Sequence, residues 1–311
     1  MKNLRIPIIQ APIGGASSPE LCIAVSEAGG CGSLALTWRT AKDARQMVER
    51  VRETTTADFL VNFALAFPPD SLPAALEAGA PVVSFSWGDP SPWLPLVRSF
   101  GAQLGVQVVS VEGARHALDL GADFLICQGN EAGGHVQSSD SLEDILSKIV
   151  MESRGVPVFA AGGISNHSDV LERLAQGATG CVVGTRFLVA AECWAHDSYK
   201  QLLIDQSETA LTTCFCEGWE NAPHRVLKNS TFRHWEALGS APKGHRPREE
   251  DLAQSAGGVP IERYSDAMPL RGTIGEIEAM CLYAGAGVRN VRKVESAANI
   301  LRELWSGSVE S

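Results

Sequence analysis

Four times in the first 190 residues the chain ends a helix-like stretch in glycine and turns at once into an apolar run. Glu27-Ala28-Gly29-Gly30 precedes Ser33-Leu34-Ala35-Leu36, and Glu77-Ala78-Gly79-Ala80 precedes Val82-Val83-Ser84-Phe85. Asp119-Leu120-Gly121-Ala122 precedes Phe124-Leu125-Ile126, and Gln176-Gly177-Ala178 precedes Cys181-Val182-Val183. Glycine stops a helix by taking the left-handed conformation that a Cβ disfavours. A chain that repeats helix, stop and strand builds parallel βα units, and few folds accept them.

Strands are predicted near 6–10, 33–36, 59–63, 82–85, 104–108, 124–127, 157–161 and 181–184. Each is a continuous apolar run, as in strands covered on both faces of a parallel sheet. Eight βα units predict an α/β fold of the (β/α)8 TIM-barrel type; a doubly wound open sheet is the alternative, but no G-x-G-x-x-G follows the first strand. Helix starts are marked by Ser18 before Pro19 and by Thr40 three residues before Asp43. Past residue 195 the pattern breaks. An isolated strand is expected at 210–215, polar text runs from 217 to 263, and helices are expected at 275–285 and 296–305. The expected organisation is a barrel of residues 1–195 and 267–311, with a small α+β insertion at 196–266 lying over the active face as a substrate lid.

With 311 residues, 45% of them hydrophobic, the chain has ample core for one large domain or two smaller ones. A formal net charge of −10 and no basic block argue against nucleic acid or an anionic membrane as partner. The mixed-sign cluster at 243–251 reads as a solvated loop. The eight cysteines lack metal-site spacing and read as reduced thiols packed as small hydrophobes, so no metal is expected. No apolar stretch reaches membrane-spanning length and the N-terminus lacks a secretory core, which points to the cytoplasm. Monomer and homodimer both stay open.

In parallel barrels chemistry sits at the carboxyl ends of the strands. The sixth predicted strand runs into Gln128-Gly129-Asn130-Glu131-Ala132-Gly133-Gly134-His135. One reading is a glycine-rich turn with a hydrogen-bonded histidine. The other is a loop whose backbone at Gln128, Ala132, Gly133 and Gly134 approaches a flat ligand, with His135 as the group that moves protons near neutral pH. Ala161-Gly162-Gly163 follows the seventh strand and Gly184-Thr185 the eighth, where barrels commonly hold a phosphate on backbone N–H groups. Arg186 reads equally as a charge partner for that phosphate or as a structural ion pair. Asn62, Gln107 and Gln10, the last just before Ala11-Pro12-Ile13, are amides at otherwise apolar strand ends and need partners. A ligand with a phosphate at strands seven and eight, a planar body and polar edges at strands one, three and five is FMN.

The set resembles the nitronate monooxygenase family, also called 2-nitropropane dioxygenase-like. The resemblance rests on Pro7-Ile8-Ile9-Gln10-Ala11-Pro12, Val61-Asn62, the loop 128–135, Ala160-Ala161-Gly162-Gly163-Ile164, Gly184-Thr185-Arg186-Phe187, Asn221-Ala222-Pro223-His224-Arg225 and Leu282-Tyr283-Ala284-Gly285. It implies an FMN-binding barrel with the phosphate on Gly162, Gly163, Gly184 and Thr185. Asn62, Gln107 and Gly133 would line the flavin, and His135 would be catalytic, as a base or as a hydrogen-bond donor to the nitro group. The implied activity is oxidation of alkyl nitronates, and of nitroalkanes in some members, by O2 to a carbonyl compound and nitrite. NAD(P)H-dependent flavin reductases for enoyl thioesters or quinones share the motifs and form the alternative. A flavin-binding barrel without turnover is a third reading. Ile13 stands where the family often has methionine, and Val136-Gln137 where Arg-Gly is common.

Overall fold

In the computed structural model, residues 4–306 are described. The first element pairs follow the glycine stops. Helices α1 (Pro19–Glu27), α2 (Ala41–Thr54), α3 (Leu72–Glu77), α4 (Leu94–Ser99), α5 (Val111–Asp119), α6 (Leu142–Glu152) and α7 (His167–Ala175) alternate with strands. Ser18 caps α1 by accepting the Leu21 N–H at 2.9 Å, and Thr40 caps α2 by accepting the Asp43 N–H at 3.1 Å. Gly29, Gly79, Gly121 and Gly177 all have φ between 81° and 101°. The residue after each donates back across the turn, as Ala80 does to the Ala75 carbonyl at 3.1 Å and Ala122 to Ala117 at 3.0 Å.

The strands are β1 (Ile8–Gln10), β2 (Gly32–Ala35), β3 (Phe59–Ala64), β4 (Val82–Ser86), β5 (Gln103–Val108), β6 (Phe124–Gln128), a two-residue β7 (Gly134–His135), β8 (Val158–Ala161) and β9 (Gly180–Val183). All but β7 form one parallel sheet in the order β1-β9-β8-β6-β5-β4-β3-β2. The ends of that row meet: Ile9 bridges Cys31, and the Gln10 N–H donates to the Cys31 carbonyl at 2.9 Å. Each strand therefore neighbours the next all the way round. The fold is a TIM barrel, and the open-sheet alternative is set aside.

Alternation along the strands sorts the side chains. Ile9, Cys31, Leu60, Val82, Phe124, Ile126, Phe159 and Val182 fill the lower lumen. Ile8, Val61, Phe63, Leu104, Val106 and Leu125 pack outward against the helices. The same parity carries Asn62, Gln107 and Gln128 into the upper lumen, and turns Gln10 outward with Ile8.

The second half adds α8 (Thr185–Leu188), α9 (Asp197–Asp205), β10 (Thr209–Thr212), β11 (His224–Leu227), α10 (Ser230–Ala237), β12 (Asp251–Gln254), β13 (Pro260–Glu262), β14 (Ile274–Gly275) and α11 (Ala297–Ser306). Helix α11 matches the expected segment at 296–305 and packs on α1 and α7. Two antiparallel sheets form, β10-β11-β7 and β13-β12-β14. The strand expected alone at 210–215 is thus a paired one. The helix expected at 275–285 shrinks to a single 3-10 turn at Ile277–Ala279. Residues 280–284 are buried, and their extended backbone is hydrogen-bonded to β11, with the Leu227 N–H on the Leu282 carbonyl at 2.9 Å and the Ala284 N–H on Arg225 at 3.1 Å. An apolar run enclosed on all sides has no periodicity that separates strand from helix. Nor is 243–251 wholly a solvated loop. Arg246 turns inward, 2.8 Å from Glu217 and over the Tyr264 ring. All eight cysteines are buried and unpaired. No described helix is long and apolar enough to cross a membrane.

Candidate active site

Two amides at strand ends hold one turn, and a third ties β3 to β4. Gln128 of β6 accepts the Gln137 N–H at 2.9 Å and reaches the His135 carbonyl at 3.4 Å. Gln107 of β5 donates to the Gln137 side-chain oxygen at 2.7 Å, and the same oxygen accepts the Trp87 N–H at 3.1 Å. Asn62 of β3 donates to the Ser84 hydroxyl at 2.9 Å and the Ser84 carbonyl at 3.2 Å. Trp87 carries φ 61°, a left-handed conformation unfavourable for a bulky residue, and its N–H is held there by Gln137.

The turn so held carries His135. Strand β7 pairs antiparallel with β11, setting His135 opposite His224 and Gly134 opposite Arg225. The sequence predicts a loop; the second half of the chain makes it a sheet edge. Around the imidazole stand Trp219, stacked with centroids 4.4 Å apart at 33°, Tyr283 and His224 at 5.5 Å, and Trp87 edge-on at 6.3 Å. The Nε2 atom is buried and has no hydrogen-bond partner. Burial, and then the neighbouring His224, push the His135 pKa down to about 3, so the ring is neutral at physiological pH.

His224 is fully used. Its Nδ1 lies 3.0 Å from the Ala222 carbonyl and so donates, while its Nε2 accepts the Phe215 N–H at 3.1 Å. Burial lowers its pKa to about 4. It packs against His135 as a fixed neutral ring.

The glycine loops converge on one corner of the mouth. A Cβ on Gly133 would lie 2.4 Å from the Gly285 nitrogen and 2.7 Å from the Ala284 carbonyl carbon, so glycine alone lets these backbones cross. Gly285 donates to the Thr185 hydroxyl at 2.9 Å, and Ala286 to the Glu131 carbonyl at 2.9 Å. Gly162 and Gly163 have φ 125° and 70°; a Cβ on the first would stand 3.1 Å from the Ala132 nitrogen. Gly184 precedes α8 and faces the Ala11 methyl. Ala11, Ala132, Gly133, Gly134, Ala161, Gly162, Gly163, Gly184 and Thr185 thus gather beside the lumen amides.

Gln10 stands apart. Its amide accepts the Ser33 N–H at 2.8 Å, reaches Ser17 at 3.3 Å and also bonds the Ala11 carbonyl, bracing the 11–17 loop from behind. Pro12 and Ile13 lie half-buried in that loop. Arg186 resolves to the ion-pair alternative: it is buried, 2.8 Å from Glu295 and 2.6 Å from Glu303.

These features suit a flat ligand with a polar edge. Small residues leave the corner open to backbone approach, and amides ring the lumen. The Ser33 hydroxyl, like His135 Nε2, is a buried polar atom without a partner. A concavity of about 620 Å³ lined by Thr209, Thr212, Arg225, Lys228 and Trp235 touches β10, β11 and α10 and includes none of these residues.

The nitronate monooxygenase profile matches residues 1–75 and 70–307. The chain belongs to the nitronate monooxygenase family. It is 28% identical to the nitronate monooxygenase of Paraburkholderia phytofirmans, over 96% of this chain and 92% of that protein. Nitroalkane oxidase from Streptomyces ansochromogenes superposes with a TM-score of 0.77 at 30% identity, covering 97% of this chain and 95% of the other. FabK from Thermotoga maritima superposes with a TM-score of 0.81 at 26% identity, covering 97% and 92%. As a nitronate monooxygenase family member the chain is an oxidoreductase. Sequence reasoning missed Trp87, Trp219 and Tyr283 as neighbours of His135, because they lie 48, 84 and 148 positions away in the numbering. Gln137 was visible only as a departure from the family's text.

Proposed function

We propose that the chain oxidises alkyl nitronates with O2 to carbonyl compounds and nitrite, using FMN at the barrel mouth. The observation that carries this reading is the buried, partnerless His135 Nε2 beside the lumen amides and the glycine corner. Gly162, Gly163, Gly184 and Thr185 would hold the phosphate, and Ala161 would border it. The ring would lie along Ala11, Pro12, Ile13, Ala132, Gly133 and Gly134, its polar edge toward Asn62, Gln107 and Gln128, with Gln10 bracing the bed. FMN supplies electron acceptance and the reaction with O2. Residues 196–266 are read as the lid, and the partners as the small nitro compound and O2.

His135 acts in this reading as a neutral ring. A base whose conjugate acid titrates at about 3 removes a proton from carbon poorly at neutral pH. A nitronate is already deprotonated and needs no base. In its Nε2–H tautomer His135 donates to a nitro oxygen, orients the anion and satisfies its own orphan atom. Nitronates are accordingly the better substrates and neutral nitroalkanes the poorer.

The test is to add ethyl nitronate anaerobically to the FMN-reconstituted protein and follow its visible spectrum, then admit air and assay nitrite. A spectral change followed by nitrite is the expected result. A response to NADH or NADPH alone would move the chain to the flavin-reductase reading, with an enoyl thioester or a quinone as acceptor.

A further inference from the structure

Besides β11, the lid brings a tryptophan to the barrel mouth. Trp219 sits on the segment between β10 and β11 and stacks on His135 at 4.4 Å. It also touches Trp87 at 4.6 Å, Phe67 at 5.0 Å and Trp38 at 6.4 Å. Trp38, Phe67 and Trp87 follow β2, β3 and β4, so loops from neighbouring carboxyl ends all present a ring to it. Trp38 is 57% exposed and forms the outer rim of the group.

Among the described residues, no cation lies over a ring of this wall. The cations found over rings among the described residues, Arg52 and Arg246, lie over Phe59 and Tyr264. Asp266 stands beside the wall: its carboxylate lies against Gly218, next to Trp219, and burial raises its pKa, so it adds no cation there. Arg39 reaches the Gly15 carbonyl at 3.5 Å, Asp89 bonds Ser91, and Glu217 holds Lys243 and Arg246. Glu220, next to Trp219, is exposed and acidic.

We propose that Trp219 sets the substrate class: with Trp38, Phe67 and Trp87 it forms an uncharged aromatic wall over His135 that admits nitro compounds bearing a flat apolar substituent and rejects those bearing a carboxylate. The proposal rests on the nitronate reading. Flat apolar groups pack on aromatic faces in offset or edge geometry, and Trp219 itself takes that place against His135. A carboxylate in the same enclosure would lose its water and meet no cation over these rings, with only indole and imidazole N–H groups to replace its hydration. The imidazole already reports such an environment, since burial is the largest cause of its depressed pKa.

Two measurements test this. The first is the kcat/KM ratio of the nitronates of phenylnitromethane and 3-nitropropionate for wild type, Trp219→Ala and Trp219→Phe. The second is calorimetric binding of nitrobenzene and of 3-nitropropionate to the same proteins, which needs no turnover. Wild type should prefer the aryl compound by at least about tenfold in both, the scale of apolar-pocket discrimination. Trp219→Ala should remove most of that preference, mainly through KM, and Trp219→Phe should keep it with an unchanged fold by circular dichroism. Equal affinities in wild type, or a ratio in Trp219→Ala within about twofold of wild type, would overturn the wall. Selective nitrobenzene binding lost in Trp219→Ala, with neither nitronate turned over, would uphold the wall and sink the nitronate reading instead.

Discussion

Gln137 shows how one residue joins the ends of three strands. Its oxygen accepts from Gln107 and from the Trp87 backbone, while its own N–H goes to Gln128. Truncation in Gln137→Ala leaves two donors without an acceptor and should cost about 1–3 kcal/mol of stability, read as a lower urea midpoint. The same variant should lose nitronate turnover faster than stability, since Trp87 would be free to leave its left-handed conformation. His135→Ala removes the donor to the nitro group, and kcat for ethyl nitronate should fall by about 100-fold or more. In wild type, kcat/KM for a nitronate should stay flat from about pH 5 to 8, because a group titrating at about 3 does not change charge there. An acid limb with a midpoint near 6.5 that vanishes in His135→Ala would refute the neutral-ring role. His224, like His135, also bears on stability. Its pKa falls from 6.5 to about 4, so between those values the folded protein binds fewer protons than the unfolded chain. The contribution is complete above pH 6.5 and lost as pH falls to about 4, on the order of 3 kcal/mol. Urea midpoints measured from pH 7 to 4 should decline, and less steeply in His224→Gln.

At the level of elements, the glycines separate into those that end helices and those that let backbones meet. The helix-ending set is a local matter, and the sequence displays it as Gly-Ala or Gly-Gly before each strand. Gly133 belongs to the other set. Gly133→Ala drives a Cβ into the Ala284–Gly285 backbone, where no side chain can swing away, and should cost about 1–3 kcal/mol. Gly134→Ala meets open space but carries φ 78°, so its cost is strain alone, about 1–2 kcal/mol. Thermal melts of the pair check the ranking; only Gly133→Ala should also weaken FMN binding. Arg186→Met is informative in a different way. It leaves Glu295 and Glu303 with only the exposed Lys293 as partner, and should destabilise by about 1–3 kcal/mol.

On the scale of the whole molecule, FMN at the mouth would tie β8, β9, the 128–135 loop and the 284–287 segment together. A ligand that binds only the folded state at a hundredfold excess over Kd adds about 2.7 kcal/mol, a melting rise of several degrees. FMN should raise Tm more than riboflavin does, since riboflavin lacks the phosphate; equal shifts would remove the phosphate site from the glycine corner. The barrel itself was legible because a parallel strand declares itself locally, as an apolar run between a glycine stop and a polar loop. Candidates at strand ends followed from that frame, and parity along β3, β5 and β6 turned three amides inward. Parity also turned Gln10 outward, which an amide in a short apolar strand does not announce. Local text failed where neighbours come from far away in the chain. Residues 280–284 read as a helix until β11 paired with them, and Trp219 was one more loop residue until the segment between β10 and β11 carried it to His135. The βα repeat, the number of strands and the glycine-rich loops were legible in the text alone, because each rests on the conformational limits of a few adjacent residues. Folding added the pairing of Arg186 with Glu295, the sheet that joins His135 to His224, and the aromatic wall around it. Those outcomes depend on burial and on contacts between distant segments, which exist only once the chain is folded.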